Sequence, residues 1–278
     1  MRKRSAEVLG GFGGDAQSAV PVLVEALGDQ DDDVQRQAAE AIGKIGGNVW
    51  ILVPALLNAF KNSNNSQAAD VLADIGRKAA DVHADIWRDA SSTVATLVEI
   101  LQERDRTRSA SAAEVLGAIG PAADAAVPAL VDALKDPDRY IAATAAGALG
   151  RIGQKQKEAA AVAARLVANE INEEEHRWDR ATAAKALGEL GLHAEFALPA
   201  LSKVVGHRED PAGFSARAAD AILRIAATLR DNHRTSAIPA LKTCQAAMEN
   251  STNGYVRTQA LDLSETIAAL EEMRRSSP

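Results

Sequence analysis

Histidine, cysteine, tryptophan and clustered carboxylates are where chemistry would begin in this chain. Its five histidines fall at 83, 176, 193, 207 and 233. No two are four residues apart, the spacing that sets a pair of imidazoles on one helix face to grip a metal. His83 with Asp85, and His176 beside Glu173, Glu174 and Glu175, bring a nitrogen near carboxylates, but in stretches that read as solvated polar turns. Cys244 is the only cysteine, which excludes an internal disulfide and a cysteine-rich zinc site. It lies in an Ala-rich helical stretch with no base near it in sequence, so a small buried residue is expected. Gly10-Gly-Phe-Gly-Gly14 is rich in glycine, yet it ends a helix, whereas a phosphate-cradling loop follows a strand. No catalytic residue, metal or cofactor is expected from these side chains.

Two rows of charge are more regular. Glu40, Asp70, Glu114, Lys185 and Asp220 share one position of a recurring phrase. Lys44, Asp74, Arg151, Glu189 and Arg224 share the position four residues further on. Residues four apart lie on one face of a helix, so the rows define an expected binding surface. The first row is mostly acidic and favours a basic protein partner. Trp50, Trp87 and Trp178 could stack on bases. A net charge of −7 and a pI near 5.4 oppose that use, because nucleic-acid affinity comes from neutralising phosphates with Lys and Arg.

The elements that must carry these rows are read from repetition. Val20-Pro-Val-Leu-Val-Glu-Ala-Leu27 returns as Val53-Pro-Ala-Leu-Leu-Asn-Ala-Phe60 and as Val127-Pro-Ala-Leu-Val-Asp-Ala-Leu134. Weaker copies put the proline-equivalent position at 95, 164, 199 and 239. A second phrase interleaves: Ala39-Glu-Ala-Ile-Gly-Lys-Ile-Gly46, Ala113-Glu-Val-Leu-Gly-Ala-Ile-Gly120 and Ala146-Gly-Ala-Leu-Gly-Arg-Ile-Gly153 are its clearest copies. The apolar residues of each phrase recur at i, i+3, i+4 and i+7, which is one face of an α-helix. Pro21, Pro54 and Pro128 suit a first helical turn, where no backbone bond is lost. Gly46, Gly120, Gly153 and Gly191 stand where the second helix should stop. Asp and Asn clusters such as 28–33 and 135–138 supply the turn and the next N-cap. Gly43, Gly117, Gly150 and Gly188 sit inside helices, where each costs about 1 kcal/mol relative to Ala. Close helix packing is expected to compensate.

Each unit is therefore a helix A, a turn, a helix B and a glycine stop. A pair this small cannot bury its own apolar faces and must stack on its neighbours. With aromatics at only 3% of residues, the contacts must be made by Ala, Leu, Val and Ile. The expected architecture is an all-α right-handed α-α superhelix over residues 1–278. It comprises a partial repeat at 1–14 and about seven two-helix units from 15 to 273. Residues 77–92, 170–179 and 207–213 lengthen the spacing, and insertions in such arrays map to one edge.

Val127-Pro-Ala-Leu-Val-Asp-Ala-Leu-Lys-Asp-Pro-Asp138 followed by Ala146-Gly-Ala-Leu-Gly-Arg-Ile-Gly153 resembles a HEAT repeat, of the bacterial HEAT-like subclass also found in phycobilisome-lyase-type proteins. The resemblance spans nearly the whole chain. It implies a solenoid used as a non-catalytic interaction scaffold or adaptor. It also opens two enzymatic alternatives, a chromophore lyase or isomerase and a HEAT-like DNA glycosylase. HEAT-type hydroxylases hold iron with His-Glu dyads, and this chain has no His-Glu dipeptide. The family pattern further implies an Asp in the A-to-B turn and an Arg early in helix B, forming a ladder between repeats. Asp29 and Asp136 match the first position and Arg180 and Arg257 the second, whereas Gln35, Ser109 and Ala142 replace the Arg elsewhere. Apolar packing is expected to set the register between repeats.

The start, Met1-Arg-Lys-Arg-Ser, leads into Glu7 and glycines instead of an apolar core, so no signal peptide is expected and a cytoplasmic location follows. Helix B of a repeat opens the chain, which reads as the remnant of a longer array. The last helix, about 255–273, reads as a cap ending in cations. No apolar run is expected to approach the roughly 20 residues of a membrane span.

Overall fold

The computed structural model describes residues 1–45, 53–54, 56–58, 60–61, 68–75, 90–168, 177–205 and 214–276. Every regular element among them is helical. Helices of the B type are α1 (Arg2–Gly11), α3 (Asp32–Ile45), α5 (Arg106–Ile119), α7 (Arg139–Ile152), α9 (Arg177–Leu190), α11 (Phe214–Asp231) and α13 (Gly254–Ser276). Those of the A type are α2 (Val20–Ala26), α4 (Ala90–Gln102), α6 (Val127–Ala133), α8 (Gln156–Ala168), α10 (Leu198–Val205) and α12 (Ile238–Glu249). Helical residues within 53–61 and 68–75 fill the places of one more pair. The chain forms two compact units, Met1–Ala129 and Leu130–Pro278.

The local signals act where the phrases put them. Asp105 accepts from the Thr107 and Arg108 amides at 3.1 and 2.8 Å and caps α5. Asp138 does the same for α7, from Tyr140 at 2.8 Å and Ile141 at 3.4 Å. An N-cap of this kind satisfies amides that have no partner within the helix, a contribution of about 1 kcal/mol. At the other end, Gly153 takes φ 84° and ψ 17°, and its N–H and that of Gln154 both donate to the Leu149 carbonyl. Gly120 and Gly191 also have positive φ. Gly46 lies outside the described residues. From helix B to helix A the chain repeats one short 3₁₀ turn, at Gly13–Ala19, Gly120–Ala126 and Gly191–Ala197. Ala16 and Ala123 kink it with nearly the same backbone, φ/ψ −96°/18° and −95°/22°.

Packing follows the two-layer plan within each unit. In the first, α1 and α2 lie against α3, and α4 against α5. In the second, α7, α9, α11 and α13 contact one another in sequence, while α8, α10 and α12 form the other layer. Alanines dominate the buried faces, Ala143, Ala145, Ala146, Ala183 and Ala184 being wholly inaccessible. Side chains this small let backbones approach. A Cβ on Gly188 would stand 3.1 Å from the Ala221 Cα, and one on Gly150 would stand 3.1 Å from Leu190. Gly117 is buried. Gly43 differs from the expectation: it is exposed, and a Cβ added there would meet no described atom within 4 Å.

The family ladder also takes a different form. Gln35 donates to the Asp29 carbonyl at 2.6 Å and Ser109 to the Ile100 carbonyl at 3.2 Å. Arg180 donates to the Val167 carbonyl at 3.2 Å and Arg257 to the Ser251 carbonyl at 2.7 Å. All four therefore turn back to the end of the preceding helix A, where backbone carbonyls lack helical partners. Among the described residues, an Arg–Asp bridge between repeats is made by Arg2 and Asp29, at 2.7 Å. Arg2 lies four residues before Ala6, as Arg180 lies before Ala184, and that spacing is its mark in the sequence.

Arg106–Ala133 is apolar and long enough, by length and composition, to cross a membrane. This departs from the expectation that no run would reach that size. In the fold the stretch is two helices and a 3₁₀ turn, broken at Gly120 and Ala123, and just over half of its apolar window is buried, 56%.

Cys244 is fully buried, its thiol against the Leu198 carbonyl at 3.5 Å. Burial pushes its pKa up to about 12. A thiol held so far above its ordinary range stays protonated near neutral pH, and the thiolate is the nucleophile. A disulfide reagent is expected to leave the native chain unlabelled while titrating one thiol after denaturation. Equal rates for native and denatured protein would contradict this placement.

Candidate functional site

The B helices carry both charged rows. Of the first, Glu40, Asp70 and Lys185 are exposed, and Glu114 and Asp220 are half-buried. Of the second, Lys44 and Arg224 are exposed, and Asp74, Arg151 and Glu189 are half-buried.

Arg151, Glu189, Lys44 and Arg224 of the second row reach across to a neighbouring B helix. Arg151 on α7 meets Glu189 on α9 at 2.8 Å, with side chains only 22% and 9% exposed. Charge-assisted hydrogen bonds in such surroundings contribute about 1.5–3 kcal/mol. The pair exists because Gly147 leaves room: a Cβ there would stand 2.8 Å from a Glu189 carboxylate oxygen. Arg151 Nη1 is buried without a hydrogen-bond partner among the described residues. Elsewhere in the row the aliphatic stems make the contact. The Lys44 Cδ covers Gly10 at 3.7 Å, and the Arg224 Cδ covers Gly188 at 3.2 Å, measured to the Cβ each glycine lacks. Lys and Arg stems cover apolar surface in this way while their charges stay wet.

In the first row, Glu40 accepts from Gln37 at 3.1 Å on its own helix. In the second unit Asp220 accepts from the Tyr255 hydroxyl at 2.8 Å, a bond that raises the phenol's pKa. Gly147 and Lys185 occupy the row's other places there, so its sign is mixed. In the first unit it is uniformly acidic: Glu7, Glu40, Asp70 and Glu114. Glu7 escapes a sequence reading that treats the opening half repeat as a remnant, although Ala6-Glu7 has the phrase's spacing. Gly147 and Tyr255 escape it because their roles appear only across a helix interface.

His83, His176, His207, Trp50 and Trp87 lie outside the described residues, as does the Trp178 side chain. The insertion at 207–213 and most of those at 77–92 and 170–179 lie there too. His193 is half-buried in a 3₁₀ turn, and His233 is exposed with φ 52°. Among the described residues no three His, Cys, Asp or Glu side chains are grouped to hold a metal ion. The one thiol is buried and protonated.

Helix pairs that stack on their neighbours and recur along the chain define a helical repeat protein. A family model for HEAT repeats matches residues 1–73 and 94–174, more than half of the chain. The chain belongs to the HEAT-repeat family.

By sequence, no curated protein matches it. Among solved structures, importin beta is 17% identical with a TM-score of 0.51, over 89% of this chain and 36% of that one. The likeness is one of fold, and this chain spans about a third of importin beta's length. The complex of CpcE and CpcF of phycocyanin lyase from Nostoc is 21% identical with a TM-score of 0.47, covering 97% of this chain and 88% of that one. An engineered protein is 22% identical with a TM-score of 0.47, covering 90% and 97%.

Proposed function

We propose that the chain is a non-catalytic scaffold that binds a protein partner along its B helices, and that the acidic row of residues 1–129 favours a basic partner. One observation carries this reading. Glu7, Glu40 and Asp70 are exposed at one repeated position of residues 1–129, and Glu114 shares that position half-buried, so the row presents one sign of charge. Four like charges on successive helices raise a field that attracts cations and speeds encounter with them. The same row repels phosphate, which sets this reading against a nucleic-acid enzyme.

The test is charge reversal of Glu40→Lys with Glu114→Lys. Binding of a labelled arginine-rich peptide is expected to fall at least tenfold and to lose most of its salt dependence. Basic proteins captured by the parent chain from extracts of its native host should be lost in parallel. Unchanged affinity in a folded variant, judged by its circular dichroism, would overturn the assignment of the row.

A further inference from the structure

We draw no further inference here: the strongest candidate, the apolar edge that Val8, Phe12 and Val22 expose on the first helices of the chain, carries nothing because no feature of the structure shows what covers it.

Discussion

Phe60→Ala is expected to destabilise the fold by about 3–5 kcal/mol, the range for emptying a buried phenylalanine site. Phe60 is 1% exposed and among the largest fully buried side chains. Its surroundings cannot collapse freely into the space. Arg108 lies over the ring at 5.8 Å from its centre and donates to the Phe60 and Lys61 carbonyls at 3.4 and 3.1 Å. That guanidinium is itself held by Glu103 at 2.7 Å. The loss would be a large part of the 5–15 kcal/mol typical of a whole domain. Phe60→Leu should cost far less, about 1 kcal/mol, because Leu27, Leu101 and Leu134 fill the same repeat position and are buried there. Urea unfolding followed by circular dichroism checks both. If the Ala and Leu variants share one midpoint, Phe60 is not filling a site that depends on its volume.

Gly188→Val is expected to lose about 1–3 kcal/mol by overpacking. Helix propensity works the other way, since Val is better than Gly by about 0.3 kcal/mol, but the contact wins. The added Cβ would already stand 3.1 Å from the Ala221 backbone and 3.2 Å from the Arg224 stem, before the two methyls are counted. A flexible side chain can move aside, but the Ala221 Cα can move only with α11. Gly43→Ala is the matched control. That glycine is exposed with no described atom nearby, so the helix term stands alone and stability should rise by about 1 kcal/mol. Thermal melts of the two variants should therefore shift in opposite directions. A stabilised Gly188→Val protein would show that α9 and α11 are not in close register.

Much of the architecture could be read in advance because its signals are short-ranged. Pro21 and Pro128 start helices, Asp138 caps one, and Gly120, Gly153 and Gly191 end others. Each acts on backbone groups within about four residues, the reach of a helical hydrogen bond. The recurring phrase also put the charged residues in rows, since a fixed position in a repeat is a fixed position on a helix face. What those rows do was not readable. Arg151 and Glu189 belong to one row, and nothing in their spacing says that they pair or that the glycine at 147 makes the space. Gly43 and Gly188 occupy the same place in the phrase, yet one is exposed and the other is pressed against Ala221.

By itself the sequence determined that the chain is built of paired helices, where several of them begin or end, and which residues recur on one face. Only the tertiary structure decided which members of the rows are half-buried between helices, as Arg151 and Glu189 are, and which are exposed, as Glu40 and Asp70 are. It also decided that Arg180 and Arg257 close their own turns, while Arg2 bridges to the next repeat. The reason is one of range. Helix signals act through bonds local to the backbone, whereas a partner on the neighbouring helix depends on how far one helix slides past another. That offset is set by the combined volumes of many side chains at the contact.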